Sequence, residues 1–218
     1  MKRKSVVVTG GSKRLGKAIA DLLDKAGWRV LRTSHRPDSG ADIICDLSAE
    51  GGAYRLFAEA TRLLGAPPDA VVNNAAVYLA DAETTRRVNL LAPARLTELM
   101  AAGPAGGCVV NILDAAALGG REETRPAFRD YAASKRALLD ETLRAAAAFA
   151  GRIRVNAIAP GALLGLAPEG VHEKAAAAPF GRPTPQLVAE AAAWLLSAEA
   201  TTGAVIPVDG GPARPSTP

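Results

Sequence analysis

A single doubly wound α/β domain, with a seven-stranded parallel sheet flanked by helices, is the fold this sequence predicts, and three observations carry the prediction. Short apolar runs alternate with longer helical patterns from end to end, as they do where parallel strands are covered on both faces by the helices that connect them. The first run ends in a glycine-rich turn, Thr9-Gly10-Gly11-Ser12-Lys13-Arg14-Leu15-Gly16, directly before a helical pattern; a Rossmann-like sheet places its phosphate-binding turn there. A chain of 218 residues, 49% of them hydrophobic, is long enough to bury one full core.

In chain order, the β-branched run Val6-Val7-Val8 places the first strand at 5–9. A helix over 14–26 follows the glycine turn and stops before Gly27. Strands are expected at 29–33 and 42–45 from the short runs around Val30-Leu31 and Ile43-Ile44, then a helix over 52–64 with Leu56, Ala60 and Leu64 on one face. Ala70-Val71-Val72-Asn73 reads as a strand, and 84–101 as a helix. Strand 108–113, the Ala-rich helix 127–150, strand 154–158, helix 185–197 opening on Pro185, and strand 204–208 complete the alternation. No repeat or linker divides the chain, so residues 1–211 are read as one domain. The run 212–218, with three prolines, is read as an irregular tail.

Composition narrows the function classes. No apolar run approaches the roughly 20 residues that span a bilayer, and Met1-Lys2-Arg3-Lys4 leads directly into the first strand, so a cytoplasmic protein is expected. Cys45 and Cys108 lack metal-ligand spacing and read as buried free thiols, with no metal site. The net charge of +4 is dispersed among acids and aromatic residues are only 4%, which argues against nucleic acid as a partner.

Two clusters carry chemistry. In the turn, Gly10, Ser12, Lys13, Arg14, Leu15 and Gly16 bring backbone and helix N–H groups toward a dinucleotide phosphate. The second strand ends in Thr33-Ser34-His35-Arg36 without an acid. A carboxylate there would accept from the ribose 2′-hydroxyl of NAD, whereas Arg36 attracts a 2′-phosphate. NADPH is therefore the expected cofactor, with Arg36 as selector and Lys13, Ser34 and His35 assisting. The second cluster is Tyr131-Ala132-Ala133-Ser134-Lys135. Tyr131 and Lys135, four apart on a helix, share a face, and an ammonium beside the phenol is expected to lower its pKa from about 10 and make it a proton donor.

These residues, with Asp46-Leu47, Asn73-Asn74-Ala75-Ala76, Val88-Asn89, Val110-Asn111-Ile112, Val155-Asn156, Pro160-Gly161 and Val208-Asp209-Gly210-Gly211, resemble the short-chain dehydrogenase/reductase family over nearly the whole chain. The resemblance implies that Asp46 and Leu47 lie by the adenine ring and that Asn73, Asn74 and Ala75 line the cofactor. It implies that Asn89 holds a proton-relay water, that Lys135 also bonds the nicotinamide ribose, and that Pro160 and Gly161 begin a lid. Where most members have a catalytic Ser, this chain has Asp114, whose charge near Tyr131 is expected to raise the phenol pKa against Lys135, so that the three groups titrate as a coupled set. That departure, with Arg14 and His35-Arg36, is similar to the pteridine reductases and the bacterial dihydromonapterin and dihydrofolate reductases of the short-chain type. By that resemblance Tyr78 sandwiches a pterin against nicotinamide, with Arg14, Asp114 and Tyr131 also touching substrate.

The expected function is NADPH-dependent reduction of a pteridine. The alternatives are a carbonyl or 3-oxoacyl reductase of the same fold, or an inactive NADPH-binding regulator. The small-molecule substrate would be the principal partner. The family resemblance implies a homo-oligomer, a tetramer or dimer, formed through helices 84–101 and 127–150. The polar insertion at 121–125 is expected either to remodel the substrate mouth or to form a solvated loop, and 167–178, with Glu169, His172 and Glu173, to form an abbreviated lid.

Overall fold

The computed structural model describes residues 3–119, 128–164 and 178–211. The insertion 121–125, lid residues 167–177 with Glu169, His172 and Glu173, and the tail 212–218 lie outside them. Seven strands form one sheet in the order β3-β2-β1-β4-β5-β6-β7, and every pairing is parallel. The strands are β1 (Ser5–Val8), β2 (Arg29–Ser34), β3 (Ile43–Ile44), β4 (Ala70–Asn73), β5 (Gly107–Ile112), β6 (Ile153–Pro160) and β7 (Val205–Val208). The order reverses between β1 and β4, which opens a crevice at their carboxyl ends.

Alternate side chains of the strands enter different cores. Val7, Val71 and Val109 pack under α2 (Gly52–Leu64), α4 (Ala92–Ala102) and α5 (Arg129–Ala148). Val6, Val8, Val72 and Val110 pack under α1 (Arg14–Lys25) and α6 (Pro185–Ser197). A strand covered on both faces has no solvent side, which is why these runs are continuously apolar rather than alternating. Cys108 is buried and Cys45 partly so, and both are free thiols; burial pushes the Cys108 thiol up to about 11, leaving it inert at neutral pH.

Part of the basic excess closes helices. Arg29 donates to Leu63 O at 2.7 Å, Arg152 to Ala101 O at 2.9 Å, and Arg154 to the carbonyls of Leu195, Leu196 and Ala198 at 2.8–3.0 Å. Each guanidinium thus satisfies carbonyls at a helix C-terminus, where the helix dipole also favours positive charge.

The expected helix 84–101 is three pieces: α3 (Ala82–Arg86), a π turn (Arg87–Leu91) and α4. It begins early because Asp81 caps it, accepting from Thr84 N–H at 2.9 Å. It widens to π where Pro93 lacks the N–H that an α-helix would give to the Asn89 carbonyl. The expected strand 42–45 pairs regularly only over Ile43–Ile44, since Asp46 next folds into an Asx turn, accepting from Ser48 N–H at 2.8 Å. The seventh strand and the helix before it sit as expected. Among the described residues, no helix is long and apolar enough to cross a membrane.

Candidate active site

The crevice is a cleft of about 600 Å³ lined by the glycine turn, the ends of β2 and β3, the segment after β4, the end of β5 and the first turns of α5. Thr9 knots its floor. The Thr9 hydroxyl accepts from the N–H groups of Asn74 and Ala75, both at 2.9 Å, and the Asn74 amide donates to Thr9 O at 2.9 Å. The turn and the segment after β4 are therefore one rigid unit. Gly10 takes φ +63 with Ala75 pressed against it, and a Cβ on Gly16 would collide with the Gly10 carbonyl, so both glycines are required by geometry. Arg14 (φ 50) and Leu79 (φ 67) are the non-glycine residues at positive φ among those described. Arg14 lines the cleft and Leu79 directly follows Tyr78, which lines it; such strain of about 1 kcal/mol or more persists mainly where surroundings enforce it.

At the inner end, Asp114 follows β5 and caps the short 3₁₀ turn Ala115–Leu118, with Oδ1 accepting from Ala116 N–H at 2.9 Å. Its Oδ2 accepts from the Tyr131 hydroxyl at 3.1 Å. Lys135 is buried, donates to Ile112 O at 2.8 Å, and lies 5.8 Å from the Tyr131 ring centroid. The Tyr78 ring stands edge-on to Tyr131 at 5.6 Å and stacks on Phe128 at 6.3 Å. An aromatic wall thus faces a phenol and a carboxylate across the same space.

One expectation is corrected by this geometry. Lys135 does not bring the Tyr131 phenol down toward neutral pH; burial, then the Asp114 charge and hydrogen bond, holds it well above its ordinary value. The ammonium is turned to a backbone carbonyl, and burial in turn lowers Lys135 to about 8, with the Asp114 charge acting the other way. Tyr131 therefore keeps its proton throughout the neutral range.

Three expected site residues lie off the cleft lining. Asn73 is buried, donates to Asn111 Oδ1 at 2.8 Å, and has its own Oδ1 without a partner among the described residues. Asn111 donates onward to Thr142 at 2.9 Å, which ties β5 to α5 and so orients the helix that carries Tyr131. Arg36 pairs with Asp38, at 3.1 Å from Nη2 and 3.3 Å from Nε, on the exposed turn after β2. Asn89 is fully buried in the π turn. Its side chain accepts from Val77 N–H and donates to Val77 O, both at 2.8 Å, and donates to Ser134 Oγ at 3.0 Å. Ser134 in turn donates to Tyr131 O at 2.7 Å.

Asn89 thus clamps the segment bearing Tyr78 to the helix bearing Tyr131. Replacing Asn89 by Ala should leave the Val77 backbone groups and Ser134 unsatisfied, costing about 2–4 kcal/mol in denaturant unfolding. Replacement by Asp, which keeps the acceptor for Val77 N–H but sets a buried carboxylate oxygen against Val77 O, should also destabilise.

The other expected residues, Gly10, Ser12, Lys13, Arg14, Leu15, Gly16, Ser34, His35, Asp46, Leu47, Asn74, Ala75, Tyr78, Asp114, Tyr131, Lys135, Pro160 and Gly161, line the cleft. Asp46 is held below the usual carboxylate range by hydrogen bonds from Ser48, with His35 adding to the effect. Sequence reasoning missed Phe128 and Ser134. The first stands three residues before Tyr131 and the second inside the Tyr131–Lys135 motif, so helical spacing was the available signal.

A family model described as enoyl-(acyl carrier protein) reductase matches residues 11–212. The protein FixR of Bradyrhizobium diazoefficiens is 34% identical over 95% of this chain and 86% of its own. Glucose 1-dehydrogenase 2 of Bacillus subtilis is 32% identical over 95% of this chain and 94% of its own. Among solved structures, FolM alternative dihydrofolate reductase 1 from Brucella canis, complexed with NADP, superposes with a TM-score of 0.83 at 30% identity, over 99% of this chain and 96% of that one.

Proposed function

The chain belongs to the short-chain dehydrogenase/reductase family, and from that premise we propose that it is an NADPH-dependent reductase of a pteridine, a dihydropterin or dihydrofolate. It is an oxidoreductase of the nicotinamide-dependent kind that the family comprises. The observation that supports the pteridine reading most is the pairing of Asp114 with Tyr131 beneath the Tyr78 ring. The NADP-bound FolM structure, named a dihydrofolate reductase, supports the same reading.

The cleft suits the cofactor. Gly10 and Gly16 let the turn close tightly on the segment after β4 so that its backbone lines the cleft, and Ser34 and His35 line it at the end of β2, where a Rossmann fold reads the adenosine ribose. When bound, NADPH supplies a hydride to a C=N carbon of the substrate. Within this reading, Tyr131 delivers its hydroxyl proton to the adjoining nitrogen, so the product gains one hydride and one proton. Tyr78 offers a face for a flat heterocycle, and Arg14 and Asp114 offer a guanidinium and a carboxylate to its amino-pyrimidinone edge. Asp114 also keeps the phenol protonated until a better acceptor sits beside it. Lys135 holds the β5 end through Ile112 O and would hold the nicotinamide ribose hydroxyls when the cofactor is bound. Asn89 acts by holding Val77 and Ser134, and its proton-relay role stays part of the proposal.

The test is NADPH oxidation by purified protein with dihydrobiopterin, dihydromonapterin and dihydrofolate, beside a panel of ketones. Turnover of a pterin is the expected result. Reduction of ketones alone would replace this reading with the carbonyl-reductase one, which the glucose dehydrogenase relative favours. A cytoplasmic location is part of the same reading. So is association of copies through α4 and α5, supported by exposed Leu91 and Leu143 on and beside these helices.

A further inference from the structure

We infer that Asp38 is a second cofactor-specificity residue: its carboxylate competes with the 2′-phosphate of NADPH for the Arg36 guanidinium and so moderates the preference for NADPH over NADH. The inference rests on the proposed use of NADPH. Four observations lead to it. Ser34 and His35 line the cleft at the end of β2, while Arg36, the next residue, does not. Its guanidinium is engaged at both Nε and Nη2 by the two oxygens of Asp38, at 3.3 and 3.1 Å. The backbone between them is fixed by Ser39, whose hydroxyl donates to Arg36 O at 2.6 Å, and by Ser34, whose hydroxyl accepts from Arg36 N–H at 3.1 Å. Pro37 then opens a 3₁₀ turn that closes on Gly40 at φ 65.

The carboxylate is thus held at the guanidinium by local geometry, and no change in the rest of the fold is needed to bring them together. A phosphate carries more negative charge than a carboxylate and binds a guanidinium bidentately. It can draw Arg36 inward, but only by opening the Asp38 pair and by leaving that carboxylate close to a like charge. NADH, with a neutral 2′-hydroxyl, meets neither cost. The pair therefore acts on one cofactor and spares the other.

The experiment measures dissociation constants for NADPH and NADH by titration, for the native chain, Asp38→Asn, Arg36→Ala and the double variant. Asp38→Asn should tighten NADPH by about fivefold, the scale of one exposed charge pair, and leave NADH unchanged. The gain should shrink as ionic strength rises, and shrink in the Arg36→Ala background. An equal shift for both dinucleotides, or the same NADPH gain with Arg36 absent, would overturn the inference. Native protein that fails to bind NADPH at all would overturn the proposed function and this inference with it. NADPH binding that is indifferent to Asp38 would overturn this inference alone.

Discussion

Tyr131→Phe should lower kcat for the reduction by about a thousandfold, within the range typical of a lost general acid, while the dissociation constant for NADPH changes by no more than about twofold. The variant removes one oxygen from a largely buried ring that is also held by packing against Tyr78, so the cleft keeps its shape. The oxygen lost is the one 3.1 Å from Asp114. Because burial and Asp114 hold the phenol well above its ordinary value, Tyr131 stays protonated through neutral pH, which suits reduction; in the reverse direction it would have to ionise first. Lys135, lowered to about 8, is charged below that pH and loses its charge above it. As the ammonium that would hold the nicotinamide ribose loses its charge, the native rate should fall as pH rises through about 8, and stopped-flow rates of nicotinamide oxidation across that interval check it. A Phe variant with native kcat would remove Tyr131 from the chemistry.

The second large effect is expected at Asp114. Asp114→Asn retains an acceptor for Ala116 N–H but removes the charge that faces the phenol and the Lys135 ammonium. Tyr131 should then ionise at lower pH, visible in an ultraviolet pH titration, and Lys135 should lose its proton more readily. Pterin turnover should fall by about a hundredfold, the scale of a lost charge-assisted hydrogen bond to the substrate's amino-bearing edge. Asp114→Ser separates the two substrate readings. A Ser hydroxyl can donate to a carbonyl oxygen but offers no charge to an amino-bearing ring, so the Ser variant should reduce ketones better and pterins worse than the native chain. Unchanged pterin turnover in that variant would tell against the pteridine reading.

How much was legible differs from element to element. The bounds of 52–64, 70–73 and 185–197 follow from local signals alone: apolar spacing, Gly65 after a helix, Pro185 at the start of another. The three-part helix before β5 carried its signals openly in Asp81 and Pro93, yet a period of 3.6 without attention to missing N–H groups reads as one continuous helix. In the candidate site, the partnership of Asp114 with Tyr131 was expected from the family resemblance, which puts Asp114 where most members have a catalytic Ser. The rise that the Asp114 charge gives Tyr131, against Lys135, was expected too; that burial would dominate both was not. Spacing places Lys135 on the same helix face, but it says nothing of burial, and burial is the largest influence on both groups.

From sequence alone come the alternation that makes a doubly wound sheet, the glycine turn at its first crossover, and the residue types that suit a dinucleotide and a proton donor. These are local properties, written in period, turn chemistry and charge, and they hold before any long-range contact forms. Only the tertiary structure decided where the polar groups spend their hydrogen bonds. It set Asn89 to clamp Val77 and Ser134 and turned the Lys135 ammonium to Ile112 O. Each of those choices depends on which partner lies nearest in space and how much water reaches it, and neither distance nor solvent access is encoded in any short run of residues.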